Sequence, residues 1–106
     1  MASGGVLTIG LSAALSVRCA MAVGSHGVPL ERAEIASAAE RIVEVWPAVV
    51  VLLEDTYATD PARYDAMAKS VGAVVVGLPD ADVTDSQLES RLMAAVAEAH
   101  RLAALH

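Results

Sequence analysis

A chain of 106 residues with a formal net charge of −6 fits one domain and disfavours nucleic-acid backbones and anionic membranes as partners. Its seven basic residues are dispersed, so no run of sequence neighbours builds a cationic patch. Hydrophobic residues make up 56% of the chain, yet aromatics are only 3% and Phe is absent, so alanine and valine must fill the core with little area apiece.

A mean hydropathy of +0.53 is high for a small soluble monomer, so either almost all of this apolar material is interior or some of it closes a subunit interface, and an oligomer is the favoured expectation. Cys19 is the single cysteine, which forbids an internal disulfide, suits a reducing cytoplasmic setting and reads as a small core residue. The apolar run Val6 to Val17, followed by Ala20-Met21-Ala22, has the outline of an export leader. No Lys or Arg precedes it, however, and Gly10, Ser12 and Ser16 interrupt it. No run reaches the length of a membrane span.

In chain order, Val6 to Leu11 predicts a first strand, and Ser12 caps a helix through Ala13 to Val23. The alternation of Leu15 to Cys19 leaves a hairpin as the competing reading. Gly24 ends the helix and Ser25-His26-Gly27 turns the chain. From Pro29 to Trp46 the spacing of Ile35, Ala39, Ile42 and Trp46 predicts a second helix with one apolar stripe. Pro47 stops it.

A repeat then begins. Ala48-Val49-Val50-Val51 returns twenty-five residues later as Ala73-Val74-Val75-Val76, and Thr59-Asp60 returns as Thr84-Asp85. Consecutive valines point to both faces of a sheet, so helices must cover both. Asp60 and Pro61 open the helix of Tyr64, Met67, Ala68 and Val71, and Gly72 closes it. Asp85 is expected to cap the last helix, whose stripe is Leu88, Leu92, Val96, Ala99 and Leu102. The expected fold is a single α/β domain over 1–106. It is a small three-layer sandwich on a mainly parallel three-stranded sheet, in the order β-α-α-β-α-β-α.

In open parallel sheets ligands bind beyond the carboxyl ends of the strands. Those ends offer Ser12, Glu54, Asp55, Asp80 and Asp82. Helix N-termini nearby favour anions, and carboxylates oppose them unless a hard cation mediates. A Mg²⁺ ion held by Asp55, Asp80 and Asp82 is therefore one expectation. Ordinary turn chemistry is the other, since strand-end aspartates bond their own backbone. Adjacent Glu54 and Asp55 are also expected to point to opposite faces, so that at most one faces any given pocket.

Neither Gly-x-Gly-x-x-Gly nor Gly-x-x-x-x-Gly-Lys-Ser/Thr is present. His26, His100 and His106 lack metal-ligand spacing. A triad of Ser12, His26 and Asp80 can be drawn, but the Gly-x-Ser-x-Gly elbow is missing.

The segment Val50-Val51-Leu52-Leu53-Glu54-Asp55-Thr56-Tyr57-Ala58-Thr59-Asp60, followed by a helix and Gly72-Ala73-Val74-Val75-Val76, resembles the phosphoribosyl-pyrophosphate loop of type I phosphoribosyltransferases. The stretch from Ile9 to Pro29 is similar in outline to that family's first strand and helix. The resemblance implies an acidic pair on the ribose and a hydroxyl turn on the 5-phosphate, with Glu54, Asp55 and Thr59 in those places. Asp60 stands where the family has glycine, and Ala62 where it has a closing hydroxyl residue.

Two functions are thus expected. The first is a non-catalytic domain that works through homo-oligomeric assembly or a protein partner, with an apolar edge such as Val49 to Leu53 inviting pairing. The second is a Mg²⁺-assisted phosphate or sugar-phosphate binding module, or a degenerate phosphoribosyltransferase-like enzyme, using Ser12, Glu54, Asp55, Thr59 and Asp80.

Overall fold

The structure, a computed structural model, describes residues 4–79 and 83–105. Its centre is β1 (Val6–Ile9), which pairs in parallel with β2 (Leu30–Ala33) on one side and β3 (Val49–Leu53) on the other. β4 (Val74–Leu78) adds to β3, also in parallel, giving the order β2-β1-β3-β4. Among the described residues five α-helices link and follow these strands: α1 (Ala13–Gly24), α2 (Ala38–Val45), α3 (Glu54–Thr59), α4 (Pro61–Val71) and α5 (Asp85–Ala104).

The valine repeat lies in register with itself. Val49 faces Val74, Val50 faces Val75, and the pairing continues to Leu53 with Leu78 at the same offset of twenty-five. Alternate residues then feed two cores. Val49 and Val51 join Cys19, Leu88 and Leu92 beneath α1 and α5. Leu7, Ile9, Val50 and Leu52 join Ile42, Tyr64 and Ala68 beneath α2 and α4. β1 and β3 are buried on both faces, as all-parallel sheets require.

The sheet has four strands, not the three expected. Residues 30–33, read from the sequence as the start of a helix, form β2, and a short 3-10 turn (Ile35–Ser37) leads into α2. The physical reason is at the proposed helix start: a helix opening at Pro29 would be capped by Val28, whose side chain accepts no hydrogen bond. The buried positions of α2 are accordingly Ala38 and Ile42, while Ile35 and Trp46 are exposed. Trp46 closes α2 with φ of 50°, a left-handed conformation uncommon for any residue but glycine or asparagine, and donates its backbone amide to the Ile42 carbonyl.

Three smaller expectations also change. Val49 to Leu53 is an interior strand, so the free edges belong to β2 and β4. Residues 54–59 coil into α3 directly after β3, so Glu54 and Asp55 do not alternate across a sheet. Thr84, not Asp85, caps α5: its hydroxyl accepts from the Gln87 amide and the Gln87 side chain accepts from the Thr84 amide. Such a reciprocal cap is worth about 1 kcal/mol. Asp60 does cap α4, with Pro61 in its first turn.

Cys19 is fully buried between α1 and the sheet. Desolvation pushes its thiol above the ordinary value, against a smaller opposing pull from Arg18. A thiol so placed is a packing residue rather than a nucleophile. Among the described residues, no helix is long and apolar enough to cross a membrane.

Candidate functional site

The chain leaves β1 toward β2 on one side and later returns to place β3 on the other. This reversal opens a crevice at the carboxyl ends of β1 and β3, the usual ligand position in doubly wound sheets. Ser12 and Glu54 both stand there, following adjacent strands. Ser12 caps α1, its hydroxyl accepting from the Leu15 amide at 3.2 Å. Glu54 opens α3, and its side chain lies over Gly77 so closely that a Cβ there would meet it at 3.1 Å.

Asp55 is exposed in the first turn of α3. Thr59 sits at the other end of that helix, its hydroxyl donating to the Thr56 carbonyl at 2.6 Å. Thr59 is thus committed to its own helix, and the phosphate turn implied by the phosphoribosyltransferase resemblance is replaced by α3. Asp80 and Asp82 lie outside the described residues. Among the described residues, no group of three His, Cys, Asp or Glu side chains is placed to hold a metal ion. Tyr57, also on α3, donates to both carboxylate oxygens of Asp65 at 2.8 Å, and this bond holds its phenol above the ordinary value.

A second feature is the sheet edge at β4. The first copy of the repeat is buried on both faces, whereas Val74, Val75 and Val76 of the second copy are each only partly covered. The Val74 amide donates to the Ala48 carbonyl, so by strand alternation the polar backbone groups of Val75 and Gly77 face away from β3. The Gly77 carbonyl accepts from Arg91 at 3.4 Å. Below this edge, a mostly apolar cavity of about 890 Å³ lies between the C-terminal halves of α4 and α5. Val75, Ala68, Val71, Ala99 and Leu102 contribute to its walls, with Asp65, Lys69 and His100 among the polar groups.

The opposite edge is built differently. β2 carries Glu31 and Arg32, and Glu31 is held by Arg41 at 3.1 Å, which is bound in turn to Glu44. Charged side chains on a free strand discourage pairing with another chain. β4 has none.

Comparison of the chain with family models, curated proteins and solved structures finds no match. Fold and edge together define a doubly wound parallel α/β domain with one guarded and one unguarded sheet edge.

Proposed function

We propose that this protein acts through self-association, with β4 of one copy pairing antiparallel with β4 of a second across a two-fold axis. The carrying observation is that the second valine triplet, in register with a fully buried one, is left partly exposed on an edge strand that itself carries no charged side chain, proline or bulge. A free row of apolar strand residues is a template for another strand, and two-fold symmetry makes one patch self-complementary. The cavity between α4 and α5 offers apolar area beside the strand, and Asp65 and Lys69 on α4 provide charges of both signs for reciprocal pairing. The high alanine and valine content is consistent with this reading, since some of that apolar surface would be covered by the second copy. A single buried thiol suits a cytoplasmic assembly.

Sedimentation velocity over a hundredfold concentration range tests the proposal. The natural chain is expected to pass from one copy to two. Val75→Lys, with a charge on the unguarded strand, is expected to remain a single copy while keeping its helical circular dichroism. A natural chain that sediments as one copy throughout contradicts the reading.

A further inference from the structure

We infer a binding site for a small hydroxylated anion in the cavity between β1, β2 and the first half of α1, at the edge of the sheet away from β4. This cavity, about 620 Å³, is lined by Thr8, Gly10, Ser16, Arg32 and Glu34 among others. That volume suits a ligand the size of a sugar phosphate or an aldonic acid.

Two observations point to a ligand independently of the helix terminus. Ser16 is only 2% exposed, and its hydroxyl has no hydrogen-bond partner among the described residues. A buried hydroxyl without a partner is costly, and native chains rarely keep one unless something fills the gap. The backbone Ser16 amide bonds to the Ser12 carbonyl, but the side chain does not take the local carbonyl bond that Ser25, Ser37 and Ser70 each make.

Arg32 supplies the second. Among the described residues it is the one arginine without a hydrogen bond, ion pair or ring contact; Arg18, Arg41, Arg63, Arg91 and Arg101 each have one. A free guanidinium and an orphan hydroxyl lining one cavity supply the donors and the positive charge that an oxyanion needs. Thr8, buried beside them, makes only a long 3.5 Å bond to the Glu31 carbonyl.

Glu34 argues about the rest of the ligand. Its carboxylate repels a bare anion yet accepts hydroxyl protons, so the site favours an oxyanion carried on a polyol over the free ion. Gly10 keeps the mouth open. Its φ is 67°, and a Cβ there would sit 2.7 Å from Ile35 Cγ1, so any side chain would collide at the cavity rim.

Ribose 5-phosphate, gluconate and unphosphorylated ribose serve as probes, read by calorimetry and thermal melting of the full chain. Ribose 5-phosphate or gluconate is expected to bind and raise the melting temperature, as any ligand of the native state must. Which of the two binds decides between phosphate and carboxylate, and ribose alone is expected to give no shift. Arg32→Gln is expected to abolish binding. Ser16→Ala is expected to weaken it roughly tenfold while the ligand-free protein melts higher, because the orphan hydroxyl is gone. Asp55→Asn, on α3, is expected to leave the affinity unchanged. No shift with either anion overturns the inference, as does binding that survives both Arg32→Gln and Ser16→Ala. None of these outcomes depends on self-association, which involves the other edge.

Discussion

Val50→Asp is expected to leave the chain unfolded at 25 °C, whereas Val75→Asp is expected to leave it folded. The two valines occupy the same place in the repeat and face each other across β3 and β4, so local sequence cannot separate them. Their surroundings do. Val50 is 1% exposed, inside the core beneath α2 and α4, and a carboxylate there has no cationic partner. An uncompensated buried charge costs about 3–5 kcal/mol, comparable with the whole stability of many small domains. Val75 is partly covered at a free edge, so an aspartate can turn its carboxylate to water at a cost of roughly 1–2 kcal/mol. Urea unfolding followed by circular dichroism checks both. A folded Val50→Asp would show that β3 is not the interior strand.

Leu92→Ala is the second large effect. Leu92 is fully buried where α5 meets α1 and the sheet. The core around it is rich in valine and alanine and short of large side chains, so neighbours reach poorly into the space it vacates. Leucine-to-alanine changes at such sites cost about 2–5 kcal/mol. At roughly 4–8 °C per kcal/mol for a domain of this size, the melting temperature should fall by ten degrees or more. Leu105→Ala, at a residue 71% exposed just beyond α5, should move it by no more than a degree or two. Equal losses from the two changes would mean that α5 is not packed as described.

The valine repeat made the parallel β3–β4 pair legible, because consecutive β-branched residues ending in a helix start admit few other arrangements. α1, α4 and α5 were legible from Ser12, the Asp60-Pro61 pair and the Leu88-Leu92-Val96 stripe. β2 was not. Leu30-Glu31-Arg32-Ala33 has a mixed polarity that fits an exposed edge strand as well as a helical turn, and Ile35 with Ile42 completed a false stripe. Only the unsuitable cap at Val28 distinguished the two.

That one miss hid the cavity on β1. Without β2, Arg32 and Glu34 fall within the helix expected from Pro29 to Trp46, and Ser16 has no cavity to line. The rim was more legible: Ser12 and Glu54 do follow neighbouring strands. The helical start of α3 was missed because Glu54-Asp55 resembled a loop, although Leu53 gives way there to residues that tolerate a first turn. Edge and interior were indistinguishable in two copies of the same triplet, since strand order depends on where the first strand inserts.

Amide hydrogen exchange at Val75 and Gly77, followed as protein concentration rises, tests the β4 edge most directly. Their outward-facing amides have no strand to bond in a single copy and gain one in the pair. Strand pairing predicts exchange that slows with concentration at these amides while Val50 stays protected throughout. Rapid exchange at both edge amides at every concentration would contradict it.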